Sequence, residues 1–286
     1  MADPADPVVI ERLDLPESLV ATVVLVRHGE STWVAEGRFQ GRHDPPLSTL
    51  GERQAGMVGD RLARRDERTP LPIPTRAPAA IWHSPLRRAA DTARIIGERQ
   101  PAAIQLLPSN RLTEIAQGEW EGVLLADVRA RWSTELEAWR RTPARAHAPG
   151  GEPLLEAAVR VRAGLAEIVA SLVQVVEQGA GAHLAAAEYD PVPGYISAAA
   201  DATARPEPWA LLVAHDGIFR LALINLLGLP LERFWSFPFN LAAITVVTLH
   251  EGTAMLRAHN LSDHLAPLAE EDRAAQEARG ERRGAL

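Results

Sequence analysis

Residues 22–31, Thr-Val-Val-Leu-Val followed by Arg-His-Gly-Glu-Ser (TVVLVRHGES), decide the fold. The first half is apolar at nearly every position rather than at alternate positions, which is typical of a strand covered by helices on both faces. The second half places an arginine and a histidine directly after this strand. In an open α/β sheet, ligands bind beyond the carboxyl ends of the strands, so residues 27–31 become candidates for a binding site.

Two more short apolar runs, residues 80–82 and 209–214, have the same form, since each is followed by a polar residue and then by a helix-like pattern. This repetition predicts an α/β fold, a three-layer sandwich with a mostly parallel central sheet, helices on both faces and a small lid. Helices are predicted over residues 49–66, 85–99, 154–178 and 218–227, with Ser48 or Thr49 as the cap of the first, and an antiparallel pair of strands over residues 243–249 and 254–256.

Composition excludes several classes of protein. All 30 basic residues are Arg, so the chain cannot build a Walker loop, a kinase site or a pyridoxal Schiff base, each of which needs a lysine. The absence of Cys removes thiolate nucleophiles and Cys-ligated zinc. A net charge of -7 gives no reason to expect a surface that binds nucleic acid.

Length and patterning predict one large domain with no membrane partner. The chain has 286 residues and is 47% hydrophobic, enough for one sizeable core. No window approaches the run of about 18 apolar residues that a spanning helix needs, and early acidic residues argue against a signal peptide, so we expect a cytoplasmic protein. The predicted organisation is a tail (1–18), a domain (19–265) with a lid near 120–150 and an insertion at 179–208, and a charged tail (266–286). A sheet edge and the insertion are compatible with a homodimer.

The residues after the three apolar runs form a set that suits one ligand. These residues are Arg27-His28-Gly29-Glu30, His83-Ser84-Pro85-Leu86-Arg87-Arg88-Ala89 and His215-Asp216-Gly217. Two histidines and two arginines can therefore converge at the same edge of the sheet. A phosphoryl group fits them well, because its oxygens accept the forks of arginine while an imidazole stands in line with phosphorus.

Five blocks of sequence, in this order, resemble the histidine phosphatase superfamily, the phosphoglycerate-mutase-like group. The blocks are RHGES with GRFQGRHDPPLSTLGERQA, then SPLRRAADTA, RLTEIAQGEWEG, PGGEPLLEAAVRV and LLVAHDG, and together they extend over residues 22–265. An isolated Arg-His-Gly is a weak signal, whereas five ordered blocks are specific. The resemblance leaves both tails and the insertion unmatched.

The resemblance implies a role for each of five residues. His28 is the implied nucleophile, which takes the phosphoryl group, and a neutral imidazole suits this role if its other nitrogen donates to a carbonyl. Arg27 and Arg88 would hold the phosphoryl oxygens, and His215 would stabilise the charge that develops. Glu114 would give the leaving group its proton and then activate water. Gly29 is expected to allow a tight turn, and neither a metal nor a cofactor is implied.

Other positions align with the family less directly or depart from its pattern. Gln40 and Gly41 align with the substrate-contacting loop, and Ser31 lies near the nucleophile in sequence. Where the family has an asparagine, this chain has Val34. Asp216 stands where many members have a glycine or asparagine, and we expect it to cap the following helix, with binding of a cationic part of a substrate as the alternative.

The function that this resemblance implies is metal-independent hydrolysis of a small phosphorylated metabolite through a phosphohistidine intermediate. Two alternatives stay open: a phosphoglycerate-type phosphomutase, and a non-catalytic protein that binds a phosphorylated ligand. The short segment between Glu114 and the PGGE block favours water as the acceptor. Glu119 and Glu121 are rival acids that we place at the start of the next helix. The remaining histidines show no metal-ligand spacing.

Overall fold

The computed structural model describes residues 7–63, 70–180 and 207–271. Its centre is a six-stranded sheet in the order β3-β2-β4-β1-β5-β6. The strands are β1 (Ala21–Arg27), β2 (Ile81–His83), β3 (Leu106–Pro108), β4 (Trp209–Ala214), β5 (Ile244–His250) and β6 (Thr253–Leu261). The pairs β3-β2, β2-β4 and β4-β1 are parallel, and β1-β5 and β5-β6 are antiparallel. The prediction of a mostly parallel sheet is therefore confirmed.

The helices are α1 (Thr32–Ala35), α2 (Thr49–Ala63), α3 (Arg87–Glu98), α4 (Leu125–Arg131), α5 (Ser133–Arg141), α6 (Leu154–Ala180) and α7 (Asp216–Leu227). All four predicted helices are present, with bounds that differ by a few residues, and residues 64–66 of the first prediction lie outside the described residues. Ser48 caps α2, since its hydroxyl accepts the N–H of Gly51 at 3.0 Å. The strand β3 was not predicted.

The sheet is covered on both faces, as the unbroken apolar runs predicted. Val23 and Leu25 of β1 belong to a cluster that includes side chains of α6 and α7. Val24 and Val26 point the other way, into a cluster with side chains of α2 and α3. Successive side chains of a strand alternate between the faces of its sheet, so a strand buried on both sides must be apolar throughout.

Residues 118–151, called the lid below, lie between β3 and α6 and carry α4 and α5. They have a small apolar cluster of their own, in which Trp120, Val128, Leu136 and Ala148 are buried. Trp139 joins this cluster to the main one, because its ring lies 5.8 Å from that of Trp120 and 6.4 Å from that of Phe234. Trp139 therefore packs the lid against the body of the protein.

Part of the predicted N-terminal tail packs on the sheet, since Ile10, Leu13 and Leu15 are buried in the main cluster. The predicted insertion lies almost entirely outside the described residues, as does most of the predicted C-terminal tail. The boundaries of the domain stay a prediction. None of the helices in the described ranges is long and apolar enough to cross a membrane.

Candidate active site

The carboxyl ends of β1 and β4 bring the two key histidines together. The strands pair in parallel with Arg27 opposite Ala214, so the next residue of each chain segment, His28 and His215, emerges at the same edge. Their ring centroids lie 5.1 Å apart at an interplanar angle of 62°. The exposed fractions of the two residues are 1% and 0%. Two imidazoles are thus held edge to face in the interior of the protein.

His28 has one ring nitrogen committed to a backbone carbonyl. Its Nδ1 lies 2.6 Å from the carbonyl oxygen of Gly29, which can only accept, so Nδ1 carries the proton and Nε2 keeps its lone pair. Burial, followed by the charges of Arg88 and Arg27, holds the pKa of His28 well below its ordinary 6.5, against the opposing effect of the Gly29 carbonyl. At neutral pH the ring is uncharged and its Nε2 keeps a lone pair that a nucleophile would need.

Gly29 is required for close packing rather than for a tight turn. Its φ lies outside the left-handed region, so the expected turn does not depend on the conformational freedom of glycine. A Cβ at this position would collide with the backbone carbonyl of Gly51 at the start of α2, and a Cβ on Gly51 would collide with the carbonyl of Glu30. The two glycines allow the loop after β1 and the start of α2 to touch backbone to backbone.

Arg88 is fully buried at the start of α3 and retains unused donors. Its Nη1 and Nη2 donate to the carbonyls of His43 and Gly41 at 2.7 and 2.8 Å. Its Nε is buried and has no partner among the residues that the structure describes. Burial lowers the pKa of Arg88 to about 10, so the guanidinium is charged at neutral pH. A buried cation with free N–H groups is suited to an anion. Its neighbour Arg87 is exposed.

Arg27 has a similar arrangement at the end of β1. Its Nη1 donates to the carbonyl of Phe239 at 2.5 Å, and its buried Nε has no partner within the described ranges. Burial lowers the pKa of Arg27, while the carboxylates of Asp216 and Glu114 act in the opposite direction. The charges of Arg27 and Arg88 both lower the pKa of His28, so both guanidinium groups lie near this imidazole.

Glu114 lies just after a 3-10 turn, Asn110–Leu112, with its carboxyl beside the start of α7. Its Oε1 accepts the N–H of Ile115 at 3.0 Å, and its Oε2 is 3.4 Å from the N–H of Gly217. A Cβ on Gly217 would lie 2.7 Å from Oε1, so glycine leaves room for the carboxyl. Burial raises the pKa of Glu114, the Ile115 N–H lowers it and the charge of Asp216 raises it. A raised pKa is what a proton donor needs.

An ion-pair network that the sequence did not reveal fixes the backbone of Glu114. Glu152 receives both Nε and Nη2 of Arg160, at 3.0 and 2.8 Å. Arg160 also donates to the carbonyl of Thr113 at 2.8 Å. Arg42 pairs with Glu152 at 3.0 Å and reaches the carbonyl of Glu114 at 3.3 Å. Glu152 of the PGGE block therefore holds, through Arg160 and Arg42, the backbone beside Glu114.

Ser31, Gln40 and Gly41, the predicted substrate contacts, first serve the structure around the site. The hydroxyl of Ser31 donates to Oε1 of Gln40 at 2.5 Å and accepts the N–H of Val34 at 3.1 Å, which caps α1. Gly41 has a left-handed φ of 51° and offers its carbonyl to Arg88. Their roles toward a substrate stay predictions.

Glu121 does not lie at the start of a helix, so that prediction is wrong. The residues before it form a 3-10 turn, Gly118–Trp120, and α4 begins only at Leu125. The Oε1 of Glu121 accepts the N–H groups of Gln117 and Arg42 at 2.8 and 3.0 Å, which ties the lid to the loop after β1. Glu119 is exposed.

Asp216 does not cap α7 through its side chain, and that prediction is also wrong. The capping position is His215, without a side-chain cap, and Asp216 is the first helical residue. Its Oδ1 instead accepts Nε of Arg220, one turn later, at 3.0 Å. The guanidinium of Arg220 stacks over the ring of Trp235 at 5.0 Å. The alternative, a contact with a cationic substrate group, stays a prediction.

Ser84 is a residue of the site that the sequence analysis did not single out. It follows β2, is fully buried, and places its hydroxyl oxygen 2.8 Å from Nε2 of His215. The sequence placed Ser84 only directly before the helix predicted over residues 85–99. The order of strands could have revealed it, because β2 lies next to β4 and their carboxyl ends coincide.

Several of the other histidines are satisfied by local contacts. His83, His147 and His264 bond to backbone carbonyls, His259 bonds to Thr245, and His43 stacks on Trp33. His183 lies outside the described residues. Within the described ranges, no group of three or more His, Asp or Glu residues could hold a metal ion.

A cavity of about 270 Å³ opens between the lid and the body of the protein. Its walls are Phe39, Leu136, Trp139, Arg140 and Trp235. An adjoining cavity of about 400 Å³ shares Leu136 and Arg140 and adds polar lid residues. Neither cavity is lined by the histidines described above, so both lie beside the candidate site rather than in it.

Known proteins resemble this chain over most of its length. The sequence profile of the histidine phosphatase superfamily (branch 1) matches residues 23–176 and 195–262. Phosphoserine phosphatase 1 of Hydrogenobacter thermophilus is 27% identical over 85% of this chain and 93% of its own. Glucosyl-3-phosphoglycerate phosphatase of Mycolicibacterium vanbaalenii is 33% identical over 75% of this chain and 78% of its own. The native structure of a mycobacterial glucosyl-3-phosphoglycerate phosphatase superimposes with a TM-score of 0.64, at 29% identity, over 85% of this chain and 99% of that chain.

Proposed function

Because the chain belongs to the histidine phosphatase superfamily and is a phosphatase, we propose that it hydrolyses phosphomonoesters of small metabolites through a phosphohistidine at His28. The observation that carries this proposal is the bond from Nδ1 of His28 to the Gly29 carbonyl, in a ring whose pKa burial and two arginines lower. In that arrangement Nδ1 carries the proton, and Nε2 is the ring nitrogen whose lone pair is available to attack phosphorus.

In the first step, Nε2 of His28 attacks phosphorus and the bond from phosphorus to the ester oxygen breaks. Arg27 and Arg88 hold the phosphoryl oxygens and stabilise the charge that is spread over them in the transition state. Glu114 gives its proton to the departing oxygen, so the alcohol leaves neutral. Its raised pKa supports this role, because an ordinary glutamic acid would hold little proton at neutral pH.

In the second step, the carboxylate of Glu114 takes a proton from a water molecule while the water oxygen attacks phosphorus. The bond from nitrogen to phosphorus breaks, and its electron pair returns to Nε2 of His28. Inorganic phosphate and the protonated Glu114 are the products, which restores the starting state. The same carboxyl serves as acid and then as base.

Phosphomonoesters whose alcohol carries a carboxylate are the first substrates to test. The two relatives described above are named for phosphoserine and glucosyl-3-phosphoglycerate. The structure of one such mycobacterial phosphatase has also been solved with inorganic phosphate, at a TM-score of 0.63. For this chain we propose only the class of substrate, a small phosphorylated metabolite, and a panel of such substrates identifies the alcohol.

The test is turnover by the full chain in the presence of a chelator. We expect phosphate release from p-nitrophenyl phosphate and from at least one member of a panel that contains phosphoserine and the phosphoglycerates. A brief reaction quenched in base should trap a phosphoenzyme that is stable to alkali and labile to acid. His28→Asn should abolish both signals, whereas His250→Asn, at the other end of the sheet, should keep them. A phosphoenzyme that survives His28→Asn contradicts the proposal.

The same panel separates the two other functions that the sequence left open. Exchange of phosphate between 2- and 3-phosphoglycerate that is faster than its release to water would identify a phosphomutase. One relative that matches about half of this chain is named a probable phosphoglycerate mutase, which is why this outcome is tested. Tight binding of phosphate without any turnover would identify a binding protein. A homodimer and a cytoplasmic location stay predictions, which sedimentation and cell fractionation can test.

A further inference from the structure

The hydroxyl of Ser84 contacts two groups, and its single proton can be donated to only one of them. It accepts the N–H of Leu86 at 3.3 Å and lies 2.8 Å from Nε2 of His215. A serine hydroxyl donates once and accepts up to twice. Since the backbone N–H occupies an acceptor position, the hydroxyl proton is available to Nε2.

His215 has one nitrogen with a partner and one without. Burial and the charges of Arg88, His28 and Arg27 hold its pKa well below 6.5, so the ring is neutral near pH 7. A neutral imidazole donates from one nitrogen and accepts at the other. The Nδ1 of His215 is buried and has no partner in the part of the chain that the structure describes. A buried nitrogen of this kind calls for a bond that a ligand could supply.

We propose that Ser84 is a positioning residue that selects the tautomer of His215, with Nε2 as the acceptor and Nδ1–H directed to the phosphoryl oxygens. The inference rests on the function proposed above for this site. In the other tautomer, Nδ1 would present a lone pair to an anion, which repels it. One hydroxyl thus decides whether His215 attracts or repels the group being transferred.

The two buried histidines are then protonated at the same atom and used in opposite ways. His28 donates its Nδ1–H to the Gly29 carbonyl and presents the lone pair of Nε2. His215 receives a proton donor at Nε2 from Ser84 and presents Nδ1–H. Both rings are neutral, and their roles differ because a carbonyl accepts from Nδ1 of His28 whereas a hydroxyl donates to Nε2 of His215.

The wild-type protein alone can test the tautomer. Long-range ¹H–¹⁵N spectra of the full chain with ¹⁵N-histidine distinguish a protonated ring nitrogen from a bare one, and His215→Gln identifies the signals. We expect Nδ1 of His215 to be protonated and Nε2 bare, both without ligand and with inorganic phosphate. A protonated Nε2 in these spectra overturns the proposal. The result does not depend on turnover, so it stands or falls apart from the proposed function.

Kinetics add a second test, with p-nitrophenyl phosphate as substrate. We expect Ser84→Ala to lower kcat by about 10- to 100-fold with KM changed less than about threefold. The reason is that Nδ1–H of His215 is then no longer held as a donor to the transition state. Ser84→Thr should restore part of the loss. Ser109→Ala, a change at another buried serine at the end of a neighbouring strand, should keep the wild-type rate.

A double-mutant cycle separates a positioning role from general damage. If Ser84 acts through His215, then Ser84→Ala in a His215→Ala background should cost less than about twofold. Multiplication of the two losses overturns the proposal. If Ser84→Ala does not fold, as thermal melting would reveal, the spectra of the wild-type protein still decide.

Discussion

At the carboxyl ends of β1, β2 and β4, the polar side chains are buried and held by fixed partners, whereas in the lid the aromatic side chains are buried or partly buried and the arginines face solvent. We call the first region the floor; its members are Arg27, His28, Ser84, Arg88 and His215. His28 and Arg88 are 1% and 0% exposed. In the lid, by contrast, the side chain of Arg141 is 77% exposed.

This difference indicates a division of work. Buried charges lie where little water screens them, so each N–H that meets a phosphoryl oxygen has a large effect. Exposed arginines are screened and mobile, and they have a small effect on any one ligand. We therefore expect the floor to determine which bond is broken and the lid to determine which ester is admitted.

The largest expected effect comes from Arg88, whose guanidinium holds the loop after β1 and, in the proposed mechanism, binds the phosphoryl group. Arg88→Ala should lower kcat/KM for p-nitrophenyl phosphate by about 1,000-fold or more, in the range found for arginines on transferring phosphoryl groups. Arg88→Lys keeps a charge without the fork and should fall between. Steady-state kinetics on folded protein provide the measurement.

Arg87 provides the matched control, because it is the adjacent residue on the same helix and is exposed. Arg87→Ala should change kcat/KM by less than about twofold. Equal losses in the two variants would contradict the assignment of Arg88 and, with it, the comparison between buried and exposed arginines.

Glu114→Gln should have the next largest effect, and one that depends on the leaving group. Loss of a proton donor costs about 100- to 10,000-fold for an alkyl phosphate such as phosphoserine. The loss should be smaller for p-nitrophenyl phosphate, because nitrophenolate leaves without a proton. Glu119→Gln, at an exposed position in the lid, should leave both rates unchanged; an equal loss for both substrates in Glu114→Gln would contradict the role of acid.

The fold could be predicted where the pattern of residues was long and uniform. The apolar runs at residues 22–26 and 209–214 gave the buried strands, because only a strand covered on both faces needs to be apolar throughout. Strand β3, Leu106–Pro108, was missed because a segment of three residues ending in proline carries no periodicity. Its pairing with β2 is a tertiary effect.

The site could be predicted only as far as side-chain chemistry reveals geometry. His28, His215, Arg27, Arg88 and Glu114 do surround the same edge of the sheet, as the influence of both arginines on both histidines and on Glu114 indicates. What failed depended on partners distant in sequence. Asp216 chose Arg220 over the helix terminus, and Ser84 gained its meaning only from His215, 131 residues away.

The pH dependence should report the two directions of pKa shift in the floor. The pKa of His28 lies well below 6.5, so we expect the proposed nucleophile to become protonated, and activity to fall, only at a pH well below that value. The pKa of Glu114 is raised above 4.5, so the acid loses its proton, and activity falls, as pH rises through the raised value. A profile of kcat/KM with phosphoserine should show both limbs.

Glu114→Gln removes the group responsible for the alkaline limb. The variant should therefore give a lower rate without that limb, while the acid limb stays in place. The phosphate of the substrate also titrates, near pH 6, but it does so equally in both proteins and cancels in their ratio. A ratio of rates that is independent of pH would show that Glu114 does not titrate in the working range.

The smallest effect should come from the lid, where Arg140 and Arg141 form a natural pair. Arg140 is exposed and lines both cavities, whereas Arg141 is held by Glu137 at 2.8 Å. If the lid admits the ester, Arg140→Gln should raise KM for phosphoserine and 3-phosphoglycerate about two- to fivefold, as expected for a solvent-screened charge, and leave p-nitrophenyl phosphate unaffected. Arg141→Gln should change neither. A fall in kcat for all substrates in Arg140→Gln would instead place this arginine with the floor, because only a group that acts on the phosphoryl transfer itself lowers kcat without regard to the alcohol.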